Sequence, residues 1–150
     1  MEIISNIGFK NMTITDLDSI KDNLYTDFDD FWSYNIFKSE LENENSKYII
    51  AILNNEIIGF AGIWQVIDEA HITNIVVRKD FRKLGIGSLL LEKLISICKN
   101  LESINSVTLE VNEDNIPAQK LYEKFNFKVL GKRKNYYNNK AAIIMTLYLK

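Results

Sequence analysis

The sequence predicts an α/β (α+β) layered domain in which helices cover a mixed, mostly antiparallel sheet. Stretches with the two-residue period of strands and stretches with helical spacing follow one another in the order β-α-α-β-β-β-α-β-α-β-β. The apolar share of 47% and the charged share of 25% are those of a globular protein. A length of 150 residues suits one core, so we expect a single domain over residues 1–150.

The N-terminal third predicts one strand and two helices. The segment "IGFKNMT" has strand character. In "TDLDSIKDNLYTDF", Thr15 is a capping residue type, and Leu17, Ile20 and Leu24 recur at helical spacing. The segment "FWSYNIFKSELEN" predicts the second helix, with its aromatic residues on one face.

The middle of the chain predicts a hairpin, a further strand and a long helix. Two β-branched runs flank Asn54 and Asn55, a pair that tolerates the positive φ of a tight hairpin turn. The segment "EAHITNIVV" predicts the next strand. From Gly85 the period becomes helical. The apolar face of this helix comprises Ile86, Leu90, Leu94, Ile97 and Leu101, with Leu89 beside it.

The C-terminal third returns to strands around one more helix. The segment "SVTLEVN" alternates, with Glu110 on the opposite face from its apolar neighbours. The segment "NIPAQKLYEKF" predicts a helix with Asn115 as its cap and Pro117 in its first turn. Two strand-like runs, "FKVLGKRK" and "AAIIMTLYL", close the chain.

Residue counts exclude several classes of protein. One cysteine, Cys98, forbids an internal disulfide, and one histidine, His71, argues against a zinc site or a Ser-His-Asp triad, so we expect no metal. The net charge of -2 gives no general attraction to nucleic acid. Because the chain has neither a signal-peptide pattern nor an apolar run near the ~20 residues of a membrane span, we expect a cytoplasmic protein without a membrane partner. Its oligomeric state stays unknown.

The segment "RKLGIG", Arg82 to Gly87, stands where a strand passes into a helix. Glycine permits positive φ and lets another molecule approach the backbone closely. The first amides of a helix lack internal partners and favour an anion such as a diphosphate. The spacing fits neither a P-loop nor G-x-G-x-x-G, since position 90 is leucine. A tight turn that needs two glycines explains the loop equally well when it is taken alone.

The surrounding chain resembles a known family. R-x-x-G-x-G after "NIVV" and before an amphipathic helix resembles motif A of the GNAT family, the GCN5-related N-acetyltransferases. The segment "TLEVNEDNIPAQKLYEKFNFKVLGKRKNYY" is similar to the RimI-like branch, the ribosomal-protein-alanine N-acetyltransferases. The resemblance runs from about Asp68 to Tyr137 and implies the GNAT fold.

This resemblance implies acetyl-CoA as cosubstrate. Its diphosphate would lie on the amides of the glycine loop, and its pantetheine arm along the strand before that loop. Asn115 matches a position of the family that contacts the cofactor, besides being a helix cap. The implied cofactor-binding residues are Ile75, Val76, Val77, Arg82, Lys83, Leu84, Gly85, Ile86, Gly87, Ser88 and Asn115.

The resemblance also implies two catalytic residues. Glu110 would accept the proton of the acceptor amine, and Tyr122 would donate a proton to the departing thiolate. Transfer would be direct, in a ternary complex. Taken without the resemblance, Glu110 reads as a solvated carboxylate paired with a lysine, and Tyr122 as a core aromatic residue.

The acceptor side carries weaker motifs. Tyr136 and Tyr137 could clamp the start of a peptide, and Glu69 could line the cleft. For Phe31 and Trp32 a place in the core is the stronger interpretation, although with Tyr34 they could form another wall. His71 and Cys98 are interpreted as structural.

Three functions remain open. The RimI-like resemblance implies that the acceptor is the N-terminal alanine of a ribosomal protein. The alternatives are a GNAT enzyme that acetylates a small-molecule amine, polyamine or lysine side chain, and a non-catalytic acyl-CoA-binding module. A binding module needs neither Glu110 nor Tyr122, which argues against the last.

Overall fold

The computed structural model describes residues 5–28, 33–137 and 140–150, and the side chains of 135–137 lie outside the description. Its strands form a seven-stranded mixed sheet flanked by helices. In chain order the elements are β1 (Gly8–Asn11), α1 (Ile14–Ile20), α2 (Tyr34–Glu42), β2 (Ser46–Leu53), β3 (Glu56–Val66), β4 (Glu69–Val77), α3 (Ile86–Lys99), β5 (Ser106–Asn112), α4 (Ile116–Lys124), β6 (Lys128–Tyr137) and β7 (Lys140–Tyr148).

The hydrogen-bonded order of the strands is β1-β2-β3-β4-β5-β7-β6. The pairs β1–β2, β2–β3, β5–β7 and β6–β7 are antiparallel, whereas β4 and β5 are parallel. The predicted α/β class and mixed sheet are therefore confirmed. Among the described residues, no helix is long and apolar enough to cross a membrane.

The chain forms two compact units. Unit 1 comprises residues 1–64 and 73–97, and unit 2 comprises residues 65–72 and 98–150. The boundary falls inside β4, so its first four residues belong to unit 2 and its last five to unit 1. The prediction of one domain over the whole chain stays a prediction.

In unit 1, α1 begins two residues before the predicted position. Thr13 Oγ1 accepts a hydrogen bond from the Asp16 amide at 3.1 Å, and Asp16 Oδ2 accepts one from the Thr13 amide at 2.9 Å. This reciprocal capping box fixes the start of the helix at Thr13 rather than Thr15. The α-helix ends at Ile20, and the chain continues as a 3₁₀ turn and a π turn as far as Phe28.

An aromatic cluster fills the core of unit 1 beneath α1 and α2. The ring centroids of Phe37 and Phe60 lie 5.0 Å apart, and those of Phe28 and Phe60 lie 5.4 Å apart. Tyr48 and Val76 belong to the same buried cluster. Burying aromatic side chains of this size supplies much of the hydrophobic stabilisation of a small core.

The hairpin prediction is confirmed in detail. Asn54 and Asn55 have φ angles of 51° and 67° and connect β2 to β3. In α3 the buried side is rotated from the predicted face: Leu91 and Ile95 are buried, whereas Ile97 and Leu101 are only partly buried. Because α3 is apolar on more than one side, the sequence pattern could not decide which side faces the sheet.

In unit 2, β5 lies between the first residues of β4 and residues 142–148 of β7. Its residues Ser106 to Leu109 are buried on both faces, and the Thr108 and Thr146 hydroxyl groups share a hydrogen bond of 2.9 Å. Asn115 caps α4 as predicted, because its Oδ1 accepts a hydrogen bond from the Ala118 amide at 3.2 Å.

Candidate active site

The glycine loop of unit 1 joins β4 to α3. Lys83 and Gly85 take positive φ angles of 65° and 88°. The Leu89 amide donates to the Gly85 carbonyl at 3.2 Å. The amides of Ile86, Gly87 and Ser88 therefore precede this first helical donor and point toward the N-terminal end of α3. Such amides, together with the helix dipole, attract an anion.

Glycine occupies positions 85 and 87 for different structural reasons. The φ angle of Gly85 is one that side chains rarely adopt, so local backbone geometry requires glycine there. Among the described residues, an added Cβ at Gly87 would meet only Val77 Cγ2, at 3.9 Å, which is ordinary contact. Packing within this part of the chain does not require glycine at position 87. This observation favours close approach of a ligand over a turn that needs two glycines.

The Arg82 side chain has a role that the sequence did not predict. Its Nε donates to the Val77 carbonyl at 2.9 Å, and its Nη2 donates to the Phe28 carbonyl at 3.0 Å. The guanidinium therefore ties the loop to the end of β4 and to the turn that follows α1. These two hydrogen bonds stiffen the loop.

The backbone predicted to bind pantetheine lies at the end of β4. The register between β4 and β5 comprises Glu69–Ser106, Ala70–Val107 and His71–Thr108. This register includes none of Ile75, Val76 and Val77. An extended amide-containing chain can pair with such a strand in the way that a further strand does.

A cavity of about 450 Å³ in unit 1 is less suited to an anion. Its walls include the carboxylates of Asp16, Asp27 and Glu56. Its two basic residues are already paired: Lys10 Nζ lies 3.2 Å from Asp16, and Arg78 Nε lies 2.8 Å from Asp80. We therefore assign no diphosphate site there.

In unit 2, Glu110 has two unequal carboxylate oxygens. Its Oε1 lies 2.9 Å from Nη2 of Arg133, and its Oε2 is buried without a hydrogen-bond partner in the described part of the chain. The side chain is 25% exposed, so this is not the solvated carboxylate of the simpler interpretation, and its partner is an arginine. A buried oxygen that accepts no hydrogen bond costs stability, so this one is open to a donor from a bound molecule.

Comparison with known proteins gives the family. The model of the acetyltransferase (GNAT) family matches residues 14–127. The chain belongs to the GNAT family. It is an N-acetyltransferase, as the resemblance implied, so a non-catalytic module is set aside.

Two bacterial GNAT relatives match over most of their length. A Bacillus subtilis protein with the provisional name [ribosomal protein bS18]-alanine N-acetyltransferase is 35% identical over 139 residues, 91% of each chain. The [ribosomal protein bS18]-alanine N-acetyltransferase of Haemophilus influenzae is 38% identical over 125 residues, 79% of this chain and 82% of that one.

Solved GNAT structures show the same fold. The crystal structure of the ribosomal-protein-S18-alanine N-acetyltransferase from Escherichia coli has a TM-score of 0.85 at 30% identity, covering 96% of this chain and 94% of that chain. Arabidopsis thaliana NAA60 in complex with acetyl-CoA has a TM-score of 0.83 at 17% identity, covering 95% and 98%. Structures with this fold thus bind acetyl-CoA.

Tyr122, the GNAT family's implied proton donor, lies on α4 and is half-buried. Its ring centroid is 5.9 Å from that of Phe127. This contact fixes the ring and is compatible with either the catalytic or the core interpretation. The role of Tyr122 stays a prediction, as does the contact of Asn115 with the cofactor.

The residues predicted for the acceptor side have mixed outcomes. Glu69 and His71 are about half exposed, with Oε2 and Nε2 3.9 Å apart. Tyr136 and Tyr137 lie in β6, but their side chains are not described. Phe31 and Trp32 lie entirely outside the described residues. The Tyr34 hydroxyl donates a hydrogen bond to Asp18, and Lys21 Nζ lies 4.6 Å from the centroid of the Tyr34 ring. These two contacts tie α2 to the α1 region.

Cys98 is buried, and its burial raises the pKa of the thiol to about 11. This supports the structural interpretation, because the thiolate is the reactive form. Sequence reasoning missed three side chains: Arg133 as the partner of Glu110, Arg82 as a tie between segments, and Asn74, whose Nδ2 donates to the Tyr48 hydroxyl at 3.1 Å. Each contact spans strands or segments far apart in the chain, and no local pattern marks it.

Proposed function

We propose that this enzyme transfers the acetyl group of acetyl-CoA to the N-terminal α-amino group of a protein, and that its acceptor is the N-terminal alanine of a ribosomal protein in the cytoplasm. The names of the two bacterial relatives support this acceptor. Their similarity extends over most of the chain and is not confined to the glycine loop. A shared acceptor is the simplest expectation for enzymes alike over this length.

The glycine loop would hold the diphosphate of acetyl-CoA. The amides from Arg82 to Gly87 supply hydrogen bonds, and Ser88 adds a hydroxyl at the same end of α3. The arm that carries the thioester would pair with Ile75, Val76 and Val77. The missing Cβ at Gly87, which the fold itself could accommodate, supports this fit. When bound, acetyl-CoA supplies the acetyl group as an activated thioester.

The observation that carries the chemistry is the buried Oε2 of Glu110, which has no hydrogen-bond partner in the part of the chain that the structure describes. An α-amino group attacks a thioester only after losing its proton, and Oε2 would accept that proton directly or through water. Arg133 would hold the other oxygen and so orient the carboxylate. The hydroxyl of Tyr122 would give a proton to the departing thiolate. Attack is direct, and no acyl-enzyme is needed.

Thiol release from acetyl-CoA tests the acceptor. Three acceptors are compared at equal concentration: a peptide beginning with alanine, its N-terminally blocked twin containing a lysine, and a polyamine. We expect turnover with the free peptide and only background with the other two. Equal turnover of the blocked twin would exclude the N-α assignment, and preferred turnover of the polyamine would replace it with a small-molecule acceptor.

A further inference from the structure

A small polar cluster lies inside unit 1, on β2 and β4. The Tyr48 hydroxyl and Thr73 Oγ1 share a hydrogen bond of 2.7 Å, and Asn74 Nδ2 donates to the same Tyr48 oxygen at 3.1 Å. The other end of the amide, Asn74 Oδ1, is buried and has no hydrogen-bond partner among the described residues. Buried amide oxygens are normally satisfied, so this one is open to a partner that the described residues do not supply.

The fold makes room for this cluster. A Cβ at Gly62 of β3 would lie 2.2 Å from Cε2 of Tyr48, so the ring crosses β3 directly over a glycine. The Tyr48 side chain therefore extends from β2 past β3, and its hydroxyl reaches Thr73 of β4. Burial raises the pKa of Tyr48, which therefore stays protonated. The neutral hydroxyl accepts from Asn74 Nδ2, and this bond leaves Oδ1 as the other end of the amide.

The placement of Asn74 relates it to the acyl-transfer chemistry. Val76 belongs to the buried cluster beneath α1 and α2, and Asn74, two residues earlier on β4, shares that side of the strand. Ile75, the next residue, begins the backbone stretch that we assign to the thioester arm. The unpartnered carbonyl oxygen of Asn74 therefore belongs to the residue directly before the backbone stretch assigned to the thioester arm.

We infer that Asn74 Oδ1 accepts a hydrogen bond from the N-terminal amine of the acceptor and so positions it for attack. This inference rests on the proposed function. An amide oxygen is too weakly basic to take the proton, so Asn74 orients the nitrogen and does not act as the base. Tyr48 and Thr73 act as positioning residues, because they hold the amide in the orientation that leaves Oδ1 available.

Steady-state kinetics with the alanine-starting peptide tests the inference. Asn74→Leu keeps the size of the side chain and removes the acceptor; we expect KM for the peptide to rise roughly 10- to 100-fold, the range for a lost hydrogen bond to a charged or ionisable group. Asn74→Asp keeps an acceptor oxygen and should retain most of the peptide affinity. Tyr48→Phe should raise the same KM by a smaller factor. Acetyl-CoA affinity, measured by calorimetry, should stay at the wild-type value in all three.

Asn105→Leu is the matched control, since the Asn105 amide donates to Asp68 at 3.1 Å within unit 2. The inference about Asn74 is overturned, while the proposed function stands, if KM for the peptide is unchanged in Asn74→Leu. An equal rise of that KM in Asn105→Leu has the same consequence. A rise in Asn74→Asp as large as in Asn74→Leu also overturns it, because Asn74 would then act as a donor. If Asn74→Leu does not fold, Tyr48→Phe and Asn74→Asp decide. Wild-type enzyme that does not acetylate the peptide overturns the proposed function, and this inference with it.

Discussion

Arg133 reaches across β7 to Glu110, so that its Nη2 lies 2.9 Å from Glu110 Oε1. In the sheet, Glu110 is opposite Ile144 of β7, and Arg133 is opposite Ala142 of the same strand. The contact therefore spans two strand pairings. One oxygen of the carboxylate is held by a cation, while the other is buried without a hydrogen-bond partner among the described residues. This asymmetry leaves Glu110 with one oriented oxygen, to which the proposed function assigns the proton transfer.

Replacing Glu110 with glutamine should reduce kcat by about 10²- to 10⁴-fold, the usual contribution of a general base. The glutamine keeps the size of the side chain but cannot accept the proton. Acetyl-CoA affinity, measured by calorimetry, should be unchanged. Glu123→Gln, at an exposed position of α4, should behave as wild type. Full activity of Glu110→Gln across the pH range would remove Glu110 from this role.

Replacing Arg133 with methionine should lower kcat by up to about fivefold, since a solvent-accessible ion pair contributes up to ~1 kcal/mol. The Arg133 side chain is 56% exposed, which keeps the effect small. The loss should appear in kcat rather than in the KM for acetyl-CoA, because Arg133 acts on the orientation of Glu110. Lys132→Met, at the adjacent exposed position, is the control, and an equal loss there would contradict the assigned role.

The two glycines of the loop should respond differently to alanine. Gly87→Ala fits the fold and adds a helix-favouring residue, so the free energy of unfolding should stay equal or rise by up to ~1 kcal/mol. The same Cβ intrudes on the diphosphate path and should weaken acetyl-CoA binding. Gly85→Ala should lose about 1–2 kcal/mol of stability, because alanine resists a φ of 88°.

Urea unfolding and calorimetry separate these two effects. A Gly87→Ala variant that is at least as stable as wild type and binds acetyl-CoA more weakly supports the loop as the diphosphate site. Unchanged affinity in that variant would mean that the amides of the loop do not meet the ligand.

Gly62→Ala should be strongly destabilising. The added Cβ would lie 2.2 Å from Cε2 of Tyr48 and so overlap its ring. The Tyr48 side chain is itself buried. Overpacking of this kind costs typically 1–3 kcal/mol. Urea unfolding should show a lower midpoint, whereas Gly8→Ala, whose Cβ would have no neighbour within 4 Å, should not. Equal midpoints for the two variants would show that the Tyr48 ring can move aside easily.

Cys98 should resist alkylation in the folded enzyme at pH 8. With a pKa of about 11, only about one thiol in a thousand is ionised at that pH. Burial raises the pKa of the Cys98 thiol above its ordinary value of 9.0. The protonated thiol therefore makes its full contribution to the free energy of unfolding below pH 9, and this contribution is lost as the pH rises through about 11. Mass spectrometry after iodoacetamide treatment should show modification only in denaturant. Rapid labelling of native enzyme would contradict the burial.

Local chemistry determined much of the fold. Asn54 and Asn55 placed the hairpin turn, because asparagine tolerates positive φ, and Asn115 placed the start of α4, because its side chain satisfies a first-turn amide. Glycine at 85 and 87 marked the loop before α3. Such features depend on a few neighbouring residues and are visible in a sequence. The family motifs added the candidate roles of Glu110 and Tyr122.

Tertiary structure alone decided the partners of the site residues. Asn74 meets Tyr48 from 26 positions away, and Arg82 meets the Phe28 carbonyl from 54 positions away. Arg133 reaches Glu110 only because β7 lies between their strands. Strand order and register set these contacts, and a periodic pattern of apolar residues specifies neither. The sequence by itself determined which groups could bind an anion or move a proton. The folded chain decided which of the two Glu110 carboxylate oxygens has no hydrogen-bond partner among the described residues.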